Sequence, residues 1–469
     1  MKDFDFGIVG LGVMGRNLLL NMADHGFSVA GLDLDAEKAT SLENEADDKH
    51  TVKGTTNAKE FVQLIKKPRA IMLLVPAGKP VDAVIKSLLP YLEEGDIVVD
   101  GGNSYFEDTN RRVDELAAQN IHYFGMGISG GEKGARFGPS MMPGGDENSY
   151  ERLRPIFEAI AAKVNGEPCV TYLGRGSAGN YVKMVHNGIE YAIMQLIAET
   201  YDVLKRGFEF EDDELQNMFA SWNESELQSY LIEITAAILK KDDEITGKRL
   251  VGLISDTAKA KGTGKWTSQN AMEIQAPVPS IDLAVNMRDI SKYKKERTQA
   301  SKTYAWHGDS ENISEESLMA NFKDAFYFGM LSIYAQGMAQ LTIASKEFDY
   351  GLNLEEVAKI WRGGCIIRAA VLEDFREAYK ANPKLPNLLL DENLASKLNV
   401  HQKAMRSVVK IGIDKGIPMA VYGTALTYFD AYRSETLPTN LIQAQRDYFG
   451  AHKYERIDKE GIFHTEWEK

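Results

Sequence analysis

The feature that most restricts the fold is Gly10-Leu11-Gly12-Val13-Met14-Gly15, a G-x-G-x-x-G run between an apolar stretch, Phe4–Gly10, and an amphipathic one, Arg16–Asp24. Strand, glycine turn and helix in that order form the fingerprint of a dinucleotide-binding βαβ unit. The first glycine permits the tight turn, the second lets a pyrophosphate approach the backbone, and the third packs helix against strand. Alone, the run also fits an ordinary tight βα turn. A second signal follows about 20 residues on, where such units hold the adenine ribose. It is Val29-Ala30-Gly31-Leu32-Asp33-Leu34-Asp35, an apolar strand ending in acids. Gly10 to Gly15 together with Asp33, Leu34 and Asp35 therefore read as a dinucleotide site.

The rest of residues 1–176 keeps this rhythm. Apolar stretches at Phe27–Asp33, Ala70–Pro76, Asp96–Asp100, Ile121–Met126 and Cys169–Leu173 read as strands, with amphipathic stretches such as Val81–Leu92 between them. Such alternation predicts a mostly parallel sheet with helices on both faces. Over 177–435 the pattern turns helical, as at Tyr191–Arg206, Glu224–Lys240, Leu318–Ser345 and Leu354–Lys380. Residues 436–469 are rich in aromatic and charged side chains, with too little apolar periodicity to fold alone. They read as a tail that packs on something else, such as a second subunit. The expected fold class is an α/β Rossmann-like N-terminal domain, then a large all-α domain and a C-terminal tail.

Composition narrows the partners. With 54 basic and 68 acidic residues in 469, the net charge is −14, which gives no footprint for nucleic acid. An anionic substrate would need a local cationic island. No run of 18 apolar residues is present, so no membrane span is expected. The N-terminus runs straight into a strand, with no expected signal peptide. Two cysteines, Cys169 and Cys365, make neither a disulfide framework nor a zinc site, and no His/Asp/Glu cluster has metal-ligand spacing. A reduced, cytoplasmic setting is expected.

Several motifs carry chemistry. Val75-Pro76-Ala77 and Asp100-Gly101-Gly102-Asn103-Ser104 each end a strand, where open α/β sheets bind ligands. Asn103 there can bond cofactor or substrate, or cap its own turn. Ser129-Gly130-Gly131, opening S-G-G-E-K-G-A, offers backbone N–H groups to an anion, or is an ordinary flexible loop. The most informative stretch is K-M-V-H-N-G-I-E-Y. On a helix Lys183, His186, Asn187, Glu190 and Tyr191 fall at i, i+3, i+4, i+7 and i+8, one polar stripe on an otherwise apolar helix. Such a stripe lines a cavity. Burial would lower the lysine pKa toward a useful base and raise that of the glutamate toward a useful acid. Lys261 in K-G-T-G-K-W, Arg288 in N-M-R-D-I-S, and Arg446 with His452 in Q-A-Q-R-D-Y-F-G-A-H supply the cations, each unremarkable singly.

Together, D-G-G-N-S, S-G-G-E-K-G-A, K-M-V-H-N-G-I-E-Y, K-G-T-G-K-W, W-R-G-G-C-I-I-R and L-I-Q-A-Q-R-D-Y-F-G-A-H resemble the decarboxylating 6-phosphogluconate dehydrogenases, in that family's order and over essentially the whole chain. The resemblance implies NAD(P)-dependent oxidative decarboxylation of 6-phosphogluconate in the pentose phosphate pathway. It implies Lys183 as proton acceptor and Glu190 as proton donor. It also implies substrate contacts from Asn103, Ser129, Gly130, Gly131, His186, Asn187, Tyr191, Lys261 and Arg288. The cofactor contacts it implies are Gly10 to Gly15, Val75, Pro76, Ala77 and Asn103. A homodimer is implied too, with Arg446 and His452 donated by the tail to the neighbouring subunit's site. One departure stands out. Where the family usually reads Asn-Arg-Thr and takes NADP, this chain reads Asp33-Leu34-Asp35, from which a preference for NAD is expected. The rival readings are a β-hydroxyacid dehydrogenase for a smaller acid, and a non-catalytic dinucleotide sensor.

Overall fold

The computed structural model describes residues 3–304, 306 and 313–468. The chain forms two compact units, Met1–Ala425 and Leu426–Lys469.

The first unit opens with β1 (Phe6–Val9), α1 (Val13–Asp24), β2 (Val29–Leu32), α2 (Ala36–Glu45), β3 (Val52–Thr55), α3 (Ala58–Leu64) and β4 (Ala70–Leu73). Then come α4 (Lys79–Leu88), β5 (Ile97–Asp100), α5 (Phe106–Ala117), β6 (His122–Ser129), α6 (Gly131–Phe137), β7 (Ser140–Gly144) and α7 (Glu147–Ile160). The strand order is β3-β2-β1-β4-β5-β6-β7, parallel throughout except for the antiparallel pair β6 and β7. β1, β2, β4 and β5 are buried along their whole length, which is why they read as unbroken apolar runs. Alternate residues feed opposite faces: Ile8 and Met72 pack with Leu18 and Phe157, whereas Val9 and Ile71 pack with Phe61 and Val81.

Three parts of the sheet differ from expectation. β3, V-K-G-T, is a half-buried strand at the sheet edge, and β7, S-M-M-P-G, carries residues that usually mark turns. Neither is read from sequence. Conversely, Cys169–Leu173 is not a strand: beside β7 it forms only an isolated bridge, Met141 with Val170. Met141 N–H donates to Cys169 O and Leu173 N–H donates to Pro143 O, but the ladder bond between them would need an N–H that Pro143 lacks.

α8 (Ala178–Asp202) begins the helical part and ends in a π-helical turn, Val203–Gly207. There follow α9 (Asp212–Asn223), α10 (Tyr230–Lys240), α11 (Thr263–Glu273), α12 (Pro279–Ser291), α13 (Lys294–Thr303), α14 (Glu315–Glu347), α15 (Leu354–Trp361), α16 (Leu372–Ala381), α17 (Glu392–Asp414) and α18 (Ala420–Tyr432). The expected helix Glu224–Lys240 starts later, at Tyr230, where the Ser229 side chain caps it by accepting from Ile232 N–H. The expected helix Leu354–Lys380 is two helices. Gly363 and Gly364 separate them, the latter at φ +65°, a conformation that stops a helix. Among the described residues no helix is long and apolar enough to cross a membrane.

The second unit holds α19 (Thr439–Gly450) and a two-stranded ribbon, Tyr454–Glu455 with Ile462–Phe463. Its organiser is polar. The buried Asp447 carboxylate accepts from Lys453 N–H at 2.8 Å, His464 Nδ1 at 2.9 Å, Thr465 N–H at 3.0 Å and Trp467 Nε1 at 2.9 Å. Order of this kind leaves no trace in apolar periodicity.

Candidate active site

At the start of the sheet the three glycines do different work. Gly10 lies at φ +96°, and a Cβ on Gly15 would stand 1.9 Å from the Gly10 carbonyl oxygen, so only glycine lets α1 press against the turn. A Cβ on Gly12 would meet nothing within 4 Å. Gly12 is the N-cap of α1 and offers no side-chain cap, which leaves the helix N–H groups to an anion. Val13 is exposed and Leu11 buried, with Met14 packed against the core. Beside this turn opens a groove of about 500 Å³, lined by Gly10, Gly12, Asp33, Leu34, Val75 and Pro76 among others. Open space at Gly12, an uncapped helix and a mostly apolar groove fit a dinucleotide.

Asp33 is held more tightly than the sequence implies. Its Oδ2 accepts from Leu11 N–H at 2.7 Å and its Oδ1 from Asp35 N–H at 3.0 Å. Asp35 in turn caps α2, accepting from Glu37 N–H. Leu34 is 95% exposed, and Lys38 Nζ lies 3.9 Å from Asp33 and 3.8 Å from Asp35.

The second cluster is built by α8 on β6 and β7. Gly125, Gly127 and Gly144 leave a bare strip of sheet, on which the first turns of α8 rest. A Cβ on Gly127 would stand 2.3 Å from Lys183 Cβ, and one on Gly144 would stand 2.3 Å from Gly179 N. Lys183, His186, Asn187 and Tyr191 are consequently buried, with Glu190 close to it.

Burial sets the charge states. Desolvation lowers the Lys183 pKa, against a smaller opposing pull from Glu190. Desolvation raises the Glu190 pKa, opposed by Lys183 and Arg288. Burial, reinforced by the nearby Lys183 charge, pushes His186 well below its ordinary value, so its imidazole is neutral. A hydrogen-bond chain fixes its tautomer. Asn187 Nδ2 donates to Thr263 Oγ1 at 3.0 Å, which turns Asn187 Oδ1 toward His186 Nδ1 at 3.1 Å. Nδ1 therefore carries the proton, and Nε2 accepts from Ser129 Oγ at 3.2 Å. Ser129 Oγ also accepts from Ile366 N–H at 3.3 Å.

The other expected residues lie on several elements. Gly130 and Gly131, at φ +121° and +62°, turn the chain after β6. Asn103 is exposed in the loop after β5. Arg288 lies 3.7 Å over the Tyr191 ring and donates to Lys259 O. Lys261 is exposed just before Gly262, the N-cap of α11. Arg446 and His452 belong to the second unit, where both are exposed. The sequence reading missed Thr263, Gly127 and Asn180, which accepts from Thr109 Oγ1 at 2.9 Å. A period-two glycine signal in F-G-M-G was available for Gly127. Thr263 falls inside K-G-T-G-K-W, where nothing marks it as a partner of Asn187, and Asn180 left no signal.

The family model described as the NAD binding domain of 6-phosphogluconate dehydrogenase matches residues 5–174, and that of the 6-phosphogluconate dehydrogenase C-terminal domain matches 179–467. The chain is 51% identical over 471 residues to the NADP(+)-dependent, decarboxylating 6-phosphogluconate dehydrogenase of Bacillus subtilis, covering 100% of both chains. It is 48% identical to the decarboxylating enzyme of Escherichia coli, again covering 100% of both. A solved structure of Plasmodium falciparum 6-phosphogluconate dehydrogenase, described in apo form, with its cofactor NADP+ and with its substrate 6-phosphogluconate, superposes with a TM-score of 0.96. The identity is 42%, and the match covers 99% of this chain and 100% of that one.

Proposed function

The chain belongs to the 6-phosphogluconate dehydrogenase family, and on that premise we propose that it converts 6-phosphogluconate to ribulose 5-phosphate and carbon dioxide while reducing a nicotinamide dinucleotide. The observation that carries the reading is the buried Lys183, its pKa lowered by burial, on the same helix face as Glu190, whose pKa burial raises. Whole-length identity to named decarboxylating enzymes speaks against the smaller-acid and sensor readings.

The residues act as follows. Neutral Lys183 takes the proton from the carbon-3 hydroxyl. Gly10–Gly15 and Val75–Ala77 would hold a nicotinamide dinucleotide, which when bound would supply the acceptor for the carbon-3 hydride. The carboxylate is then β to a carbonyl, so carbon dioxide leaves an enediol. Lys183 returns its proton to the carbonyl oxygen as carbon dioxide leaves, then takes it back from the enediol hydroxyl while protonated Glu190 delivers one to the neighbouring carbon, substrate carbon 2 and carbon 1 of the product. Ser129, His186 and Asn187 form the hydrogen-bonded floor of the site, with the imidazole as a neutral acceptor toward Ser129. Tyr191, Lys261 and Arg288 hold the phosphate, and Asn103, Gly130 and Gly131 contact the sugar acid.

Arg446 and His452 complete the site of a second copy in a homodimer. Support comes from their exposure on a separate unit whose surface also exposes Leu441, Tyr448 and Phe449. NAD is the preferred dinucleotide, given Asp33 and the exposed Leu34. The setting is cytoplasmic, a reading supported by two free, buried cysteines. Following the absorbance of the reduced cofactor with 6-phosphogluconate and NAD or NADP tests the activity. Lys183→Met should lower turnover by about 10²-fold or more while cofactor binding persists. A variant keeping more than about a tenth of the rate would rule out the base role.

A further inference from the structure

Arg112 lies on α5, is only 1% exposed and reaches the two loops that follow β4 and β5. Its Nη2 donates to Gly78 O at 3.1 Å, in the turn entering α4, where Gly78 sits at φ +83°. Its Nε donates to Asp82 Oδ1 at 2.8 Å, in the first turn of α4. Its remaining amine, Nη1, faces Asp100 Oδ2 across 3.5 Å. Asp100 ends β5 and is fully buried. Oδ1 of Asp100 accepts from Gly102 N–H at 3.0 Å, and Oδ2 accepts from Tyr123 Oη at 2.9 Å. From the other side, Asn180 Nδ2 of α8 donates to Gly102 O at 3.5 Å. The two loops abut: a Cβ on Gly102 would stand 3.1 Å from Val75 O.

Burying an arginine and an aspartate adds little stability over a well-packed apolar pair, because desolvation offsets their attraction. What such a pair supplies is geometry, since a planar guanidinium donates in fixed directions to several acceptors. Here it donates to a backbone oxygen of one loop and to Asp82 beside it, and its charge faces at 3.5 Å a carboxylate that grips the backbone of the other loop. Gly78 directly follows Val75-Pro76-Ala77, and Gly102 directly precedes Asn103.

We propose that Arg112 and Asp100 are positioning residues that set the spacing between loop 75–78 and loop 101–104, and with it the seat of the cofactor. The proposal rests on the reading that Val75, Pro76, Ala77 and Asn103 face the cofactor. Neither residue touches the reacting atoms, so their loss acts on cofactor affinity before it acts on turnover.

The full-length enzyme is assayed with 6-phosphogluconate at saturation and cofactor varied. Arg112→Met should raise the cofactor KM about tenfold or more, with kcat at saturation kept within about threefold, because the charge-assisted hydrogen bonds it removes hold the loops that seat the cofactor and not the reacting atoms. Asp82 is 41% exposed, so its variants should fold even if Arg112→Met does not. Asp82→Ala, which deprives Arg112 Nε of its acceptor, should raise the cofactor KM about threefold, and Asp82→Asn, which restores an acceptor, should bring it back near wild type. A lowered melting temperature with an unmoved cofactor KM in Arg112→Met, or in Asp82→Ala where the former does not fold, overturns the proposal. Asn103→Ala serves as the control on the underlying reading. If it leaves the cofactor and substrate KM unchanged, that reading fails and takes the proposal with it; if it raises them while Arg112→Met does not, only the positioning role fails.

Discussion

Replacing Asp33 and Leu34 together, Asp33→Asn with Leu34→Arg, should turn the enzyme from NAD toward NADP. Both Asp33 oxygens are engaged by backbone N–H groups, Leu11 on one side and Asp35 on the other. The carboxylate therefore cannot swing away from a 2′-phosphate, although each oxygen keeps a lone pair for a ribose hydroxyl. At about 4 Å, a carboxylate and a phosphate charge repel by roughly 1 kcal/mol in water and about 4 kcal/mol at a surface-like effective dielectric. Asp35 adds to the repulsion. Lys38 opposes it, since its ammonium already lies over both carboxylates at 3.9 and 3.8 Å, and one cation between two anions leaves the field negative. At position 34 a 95% exposed leucine offers no guanidinium, so a charged hydrogen bond of about 1.5–3 kcal/mol is absent. These contributions favour NAD by at least about tenfold, at 1.4 kcal/mol per decade. The relative from Bacillus subtilis is named NADP(+)-dependent, so a preference for NAD would set this chain apart. The assay is kcat/KM with each dinucleotide, before and after the double substitution, which should lower the NAD-to-NADP ratio by about tenfold or more. Equal or better efficiency with NADP in the unmutated enzyme refutes the reasoning.

Three other outcomes are expected. Gly127→Ala would drive a methyl to 2.3 Å from Lys183 Cβ; overpacking costs typically about 1–3 kcal/mol, so the folded variant should melt lower and lose about 10²-fold in kcat. A kcat within about twofold of wild type would mean that the bare strip does not set the lysine. The rate should rise with pH as Lys183, depressed by burial, loses its proton, and fall as Glu190, raised by burial, loses its own. Glu190→Gln, which cannot ionise, should lose rate and also the falling limb, and a limb that persists assigns it to another group. Mixing Arg446→Ala with Lys183→Met subunits under confirmed exchange should restore activity, one site per heterodimer being intact, whereas exchange without recovery argues against a shared site.

Some of this was legible in the sequence for a physical reason. β1, β2, β4 and β5 are covered on both faces, so burial writes itself as contiguous apolar residues; β3 and β7, with one neighbour each, carry a lysine and a proline that blur the signal. The α8 stripe was legible because polar residues on a helix with 19 buried positions break the pattern at helical spacing. Long-range partners were not. Thr263 sits 76 residues from the Asn187 amide it orients, and Arg112 acts through a carbonyl 34 residues away. Contacts of this kind are set by topology, and periodicity reports only on a residue's own element. The internal order of the tail was not legible for the complementary reason: Asp447 gathers donors that lie 6 to 20 residues further along the chain, with no apolar repeat to announce them.

The spacing of Lys183 and Glu190 decides how a buried lysine can serve as a base. Among the described residues no carboxylate lies within 4.0 Å of the Lys183 ammonium. At one turn's spacing, a glutamate could close to about 4 Å and contribute roughly 4 kcal/mol at an effective dielectric of 20, enough to hold the lysine cationic despite burial. Seven residues at 1.5 Å each separate the two Cα atoms by about 10 Å along the axis. A longer reach between the charges weakens the attraction in proportion, while desolvation still imposes several kcal/mol on each ion. Desolvation wins on both partners, as the directions of their shifts record: the lysine is eased toward its neutral amine and the glutamate toward its neutral acid. Two turns apart, the pair is thus biased toward a lone pair that can take a proton at one end and a proton to give at the other. The glycine strip beneath α8 is what makes that burial possible.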